Sequence, residues 1–147
     1  MDDFDRLVAR LTRLPAAARV GALDEVNAQK LAYSEFGTVR EPPRPALSAA
    51  TDQNAAALHR AVARRVGDVI DGRSATGESI LSAVAADLAE EVRNTIDSNV
   101  QPPLAPSTLA ARRRRGNASN RTLVDTGEML RAITYEAKQG AGDWADE

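Results

Sequence analysis

The chain has 147 residues, enough for one domain with a modest core. Its apolar share is 43% but aromatics supply only 3%, so alanine, valine and leucine must build thin helical faces rather than a thick core. Lys and Arg number 19 against 21 Asp and Glu, a net charge of −2 that excludes adhesion to nucleic acid or membrane by the whole surface, and the absence of cysteine excludes disulfides, thiolate metal sites and cysteine nucleophiles.

The opening stretch, MDDFDRLVARLTRL, lacks the basic region and apolar run of a secretory leader, and no segment approaches the roughly 18 to 20 apolar residues of a membrane span. The expectation is a protein assembled in the cytoplasm with no membrane partner. Phe4, Leu7, Val8, Leu11 and Leu14 recur at helical spacing opposite Arg6, Arg10 and Arg13, and Pro15 ends the pattern. ARVGALD then alternates weakly, as a brief strand or an extended link. NAQKLAYSEFG predicts a helix capped by Asn27, carrying Ala28, Leu31, Ala32, Glu35 and Phe36 along one flank, with Gly37 as its left-handed stop.

Pro42, Pro43 and Pro45 fix their own φ and push their predecessors toward extended conformations, so EFGTVREPPRP predicts a stiff, non-helical strut. Between Ser48 and Gly72, Leu58, Val62, Val66, Val69 and Ile70 fall at steps of three and four, a long helix closed by an Asp71-Gly72 turn. Thr76 caps a second long helix whose buried stripe is Ile80, Leu81, Val84, Leu88, Val92 and Ile96. Pro102, Pro103 and Pro106 break helix, Ser107 restarts it with a hydroxyl cap, and Gly116 ends it, which predicts a mobile charged arm around 101–122. Asp125 and Glu128 form the spacing of a capping box in DTGEMLRA, and Ile133, Tyr135 and Ala137 alternate as in a strand. The tail 139–147 is glycine-rich and acidic and is expected to be extended. The whole reads as one α+β domain over 1–147, several helices including two long ones packed on a small antiparallel β-sheet, with extended arms.

Catalytic chemistry finds little support. A phosphate site wants a glycine-rich turn followed by lysine, and neither Lys30 nor Lys138 is so placed. His59 is the single histidine, beside Leu58 among arginines, and reads as a solvated or partly packed helix residue. Glu90 and Glu91 are consecutive in a helix and point about 100° apart, so they cannot share one substrate. Ser107, Thr108 and Thr126 are placed as caps without a base. No catalytic, cofactor or metal site is therefore expected, and the chain reads as something other than an enzyme. Arg112, Arg113, Arg114 and Arg115 form the strongest electrostatic feature, open to three readings: a solvated run, a contact to an acidic patch of a neighbouring subunit, or a contact to nucleic-acid phosphate.

Three pieces stand in a telling order: SEFGTVREPPRPAL, then PPLAPSTLAARR after the helical middle, then TLVDTGEMLRAITYEAK. Together they resemble the small neck and tail-completion proteins of long-tailed bacteriophages, over roughly residues 20–138. Ala46 stands where such proteins often carry phenylalanine, and the arginine run is longer here. The resemblance implies a non-enzymatic virion protein that assembles as a ring at the head-tail junction, of six subunits or of twelve, with six the expectation. It would act as tail terminator or as connector-side neck component, joining the head connector or stopper protein to the tail tube protein, with contact to genomic DNA in the channel through the arginines. Glu35, Phe36, Gly37, Pro42, Pro43, Arg44 and Pro45 are then the expected protein interface, a docking strut whose stiffness lowers the entropy lost on association. The alternative is a small nucleic-acid-binding regulator using Arg112 to Arg115.

Overall fold

The computed structural model describes residues 2–73, 75–140 and 144. Among these residues, six helices and two strands follow in the order α1 (Asp3–Leu11), β1 (Ala16–Ala22), α2 (Glu25–Phe36), α3 (Ala46–Ile70), α4 (Gly77–Asp97), α5 (Pro106–Arg114), α6 (Glu128–Ala132) and β2 (Ile133–Gln139). This is the α+β architecture expected, with α3 and α4 as the two long helices. None of the helices is long and apolar enough to cross a membrane.

The strands come from opposite ends of the chain and pair antiparallel, from Ala16 opposite Gln139 to Ala22 opposite Ile133. Arg19 faces Glu136 across the ribbon, with Nη2 2.7 Å from the carboxylate, and the Gly140 N–H extends the pairing to the Pro15 carbonyl at 2.8 Å. Arg19 and Lys138 both lie over the ring of Trp144, 4.3 and 4.4 Å from its centroid. The rest of the tail after Gly140, expected to be extended, lies outside the described residues.

α4 organises the interior by packing on α3 along one side and on both strands along another. Its inner face carries Ile80, Val84, Ala85, Ala89, Val92 and Ile96, which matches the expected stripe except that Leu81 and Leu88 are only half-buried and Ala85 and Ala89 take fuller burial. The alanines Ala46 and Ala50 of α3 and Ala89 of α4 are completely covered, so the helices meet through small residues. Ala46 therefore occupies a fully covered core position at the start of α3. The stripe expected on α3 is partly corrected: Leu58, Val62 and Val66 are half-buried, Val69 is sealed, and Ile70 faces out because it follows Val69 by about 100° of helix rotation.

Several helix starts differ from expectation. α2 begins earlier, at Glu25, because Asp24 rather than Asn27 accepts the capping N–H, that of Asn27 itself at 2.9 Å. α5 begins at Pro106 without a side-chain cap, since proline at the first turn needs no partner for an absent N–H. α6 is preceded by Gly127 in a left-handed conformation and has no capping box, because the Asp125 carboxylate is engaged elsewhere by Arg112, Arg115 and Asn117. Thr76 does cap α4 as expected, its hydroxyl accepting the Ser79 N–H at 3.1 Å.

The start of α4 also fixes α1. The Gly77 N–H donates to the Arg13 carbonyl at 2.9 Å, and a Cβ on Gly77 would lie 1.8 Å from the Leu14 carbonyl oxygen, so only glycine lets the two backbones approach this closely. Arg10 reaches the Ile70 carbonyl from the other side at 3.4 Å. α1 is thus seated where α3 ends and α4 begins.

Candidate interaction surfaces

The three sequence stretches that carry the resemblance converge in one region, held together by three buried charged side chains. Glu35, at the last turn of α2, accepts the backbone N–H of Leu47 at 3.1 Å and of Ser48 at 2.8 Å, and also the Ser48 hydroxyl. It caps α3 from a distance, which explains how that helix starts at Ala46 after a proline with no cap of its own. Arg44 donates through Nε to the Pro102 carbonyl at 2.7 Å and through Nη2 to the Pro103 carbonyl at 3.2 Å. Arg112 donates through Nη1 to the Arg121 carbonyl at 2.7 Å and the Val124 carbonyl at 3.2 Å, while its Nε lies 3.3 Å from the Asp125 carboxylate. A planar fork with several donors suits both arginine sites, where one side chain must satisfy carbonyls from two or more residues.

These contacts correct the expected interface. Glu35, Arg44 and Arg112 are 8%, 7% and 5% exposed, so all three serve their own chain rather than a surface. The arginine run is divided by helix geometry: Arg112 turns inward, Arg115 pairs with Asp125 at 3.3 Å, and Arg113 and Arg114 stay exposed with no ion-pair partner among the described residues. The segment 101–122, expected as a mobile arm, is tied at both ends. Arg44 holds its prolines, the Asn99 side chain accepts the Thr122 N–H at 2.8 Å, and Arg121 pairs with Asp97. α5 nevertheless makes no extensive contact with another helix or strand and rests on loops.

The proline segment itself is a closed turn followed by an extended run. The Thr38 N–H donates to the Glu41 carbonyl at 2.9 Å, and the Thr38 hydroxyl accepts the N–H groups of Arg40 and Glu41. Gly37 has φ +74, and a Cβ there would meet the Glu41 oxygen and the Pro43 nitrogen at 2.9 Å, so the turn requires glycine. With ψ near 178 the residue is not the left-handed helix stop expected from sequence, although its φ is positive. Phe36, Pro42, Pro43 and Pro45 remain exposed and Gly37 half-exposed; they are what the expected interface presents outward.

Two exposed apolar faces stand out on the folded chain. One is the outer side of α2 and the turn after it, with Val26, Tyr33, Phe36 at 81% exposure and Val39 fully exposed. The other is α1, in which no residue is buried and Phe4 is 71% exposed, with Val8, Leu11 and nearby Ile70 also open. The α2 face is anchored at residues 47 and 48 through Glu35, and the α1 face at residue 70 through Arg10. At about 1.5 Å per helical residue those anchor points lie about 33 Å apart on α3. The face on α1 was legible as an amphipathic helix. Val26 and Tyr33 were missed, although their spacing of seven residues places them on one side of a helix and would have found them.

Beside the α2 face, a groove of about 480 Å³ runs between α2, the prolines and α5, walled by Tyr33, Pro42, Leu104, Leu123 and Arg115. At its edge Lys30 pairs with Glu128 at 2.9 Å, and that hydrogen bond, with the charge of Lys30, holds the Glu128 carboxyl below its ordinary value. Asp24 is likewise lowered, chiefly by the Asn27 backbone N–H and then by its side-chain amide. His59 is exposed on α3. Among the described residues no group of histidine, aspartate and glutamate is arranged to hold a metal ion.

No family model, curated protein or solved structure matches the chain.

Proposed function

We propose that the chain is a structural subunit that assembles head to tail into a closed ring at the head-tail junction of a long-tailed phage, joining the head connector to the tail tube. The observation that supports this reading is the pair of dissimilar apolar faces seated at opposite ends of α3. A ring is built by heterologous contacts, in which each subunit offers two different patches to two neighbours, and this chain has such a pair. Exposed apolar residues grouped in this way mark surfaces that another protein covers.

The buried charges of the three motif stretches contribute rigidity rather than direct contact. Buried Glu35, Arg44 and Arg112 lock the α2 end, the prolines and the loop before α6 into one body, so the outward residues Phe36, Val39, Pro42 and Pro43 are presented in a fixed arrangement. Preorganised surfaces lose less entropy when they associate. The expected location is the virion neck, with assembly in the host cytoplasm.

Arg113 and Arg114, exposed and without an ion-pair partner among the described residues, favour a secondary role in contact with DNA passing through the ring. Two cations per subunit give little affinity alone, but a ring repeats them around a channel. Size-exclusion chromatography with light scattering, on the purified chain and with purified tail tubes, tests the main reading. A defined oligomer that joins tube ends is expected, and a chain that stays monomeric and ignores tubes would reject it.

A further inference from the structure

We infer that α1 of one copy packs antiparallel on α2 of the next copy, and that this helix pair is the repeating contact of the ring; the inference rests on the ring reading above. Both helices are short and carry exposed apolar residues on the side concerned, and α1 is strongly amphipathic. Phe4 and Leu11 are seven residues apart with Val8 between them, and Val26 and Tyr33 are also seven residues apart, so each pair spans about 10.5 Å of helix. Laid antiparallel, Leu11 meets Val26, Val8 and Phe4 meet Tyr33, and Phe36 closes over Phe4.

Charge fixes the direction. α1 begins with Asp2, Asp3 and Asp5 and is followed by Arg13, whereas α2 begins with Asp24 and Glu25 and is followed by Arg40. The antiparallel arrangement sets Arg13 against Glu25 and the aspartates against Arg40, while the parallel one brings like charges together at both ends. Among the described residues, the side chains of Arg13, Glu25 and Arg40 have no ion-pair partner within their own chain, and Asp3 has only the exposed pair with Arg6. Antiparallel helices also oppose their dipoles favourably. The two faces cannot meet within one chain, because α1 sits at the end of α3 and α2 at its beginning.

The absence of cysteine makes a direct test available. The double variant Phe4→Cys/Phe36→Cys replaces two exposed side chains, and circular dichroism establishes that the fold survives. Disulfide bonding needs Cα atoms within about 7 Å, so any bond formed joins two copies. Mild oxidation is expected to give a ladder of covalent multimers ending at the size of the native oligomer. Separately, Arg13→Glu or Glu25→Arg alone should weaken self-association about fivefold per contact, and the two together should restore it. An oligomer by light scattering that yields no ladder overturns this docking mode and leaves the ring reading standing. A ladder without rescue by the double charge swap overturns the antiparallel register. A chain that is monomeric and yields no ladder overturns both.

Discussion

The carboxylate of Glu35 accepts the backbone N–H of Ser48 at 2.8 Å, so that the last turn of α2 caps the first turn of α3 across an intervening turn and three prolines. A buried acceptor that satisfies two orphan helix donors is worth more than an ordinary surface cap. Glu35→Ala should cost about 1 to 3 kcal/mol and loosen the Phe36 to Pro43 turn, with Glu35→Gln intermediate because its amide keeps one acceptor oxygen. Urea titration of the three proteins, followed by circular dichroism, measures the order.

Among the arginines, burial separates structure from surface. Arg112→Ala removes a buried guanidinium from the Arg121 and Val124 carbonyls and from Asp125, and should cost about 3 kcal/mol. Arg113→Ala and Arg114→Ala should stay within about 0.5 kcal/mol of the parent. Arg44→Lys should behave like a loss, since one ammonium cannot reproduce the fork to Pro102 and Pro103. Denaturant midpoints decide this, and filter binding of duplex DNA at two salt concentrations shows whether Arg113 and Arg114 alone carry any phosphate affinity.

Asp24 and Glu128 both titrate lower in the folded chain than in the unfolded one. Their contribution is therefore present in full above the ordinary values of 3.8 and 4.5, and is lost as pH falls through that range toward the folded values. The urea midpoint should hold steady from neutrality down to about pH 4.5 and then drop. The variant Asp24→Asn/Glu128→Gln, in which asparagine can still cap α2, should show a shallower drop.

Gly77 tests the seat of α1. Gly77→Ala forces a methyl against the Leu14 carbonyl, and either α1 or the start of α4 must move, at a cost of about 1 to 3 kcal/mol. Because α1 carries one of the two apolar faces, the same variant should also weaken self-association, which analytical ultracentrifugation would register.

The sequence was most informative where periodicity was long. The α4 stripe from Ile80 to Ile96, the Thr76 cap and the strand from Ile133 follow directly from hydrophobic spacing and a hydroxyl at the right place. Local pattern failed where a distant group intervened. Asp125 and Glu128 have the spacing of a capping box, but two arginines claim Asp125, and Glu35 was read as part of the docking strut although it reaches α3. The arginine run was read as one patch because adjacency in sequence hides the 100° turn between successive helical residues. Which of Leu31, Glu35 and Phe36 faces out depends on what packs against α2, and only the fold supplies that: Leu31 and Glu35 are covered and Phe36 is bare.

Native mass spectrometry of the purified chain beside Phe36→Asp addresses the central claim most directly. One closed homo-oligomer is expected for the parent, at six or twelve copies, and a monomer for the variant with its fold intact. A monomer for both at every concentration, or an oligomer indifferent to a charge at position 36, would contradict it.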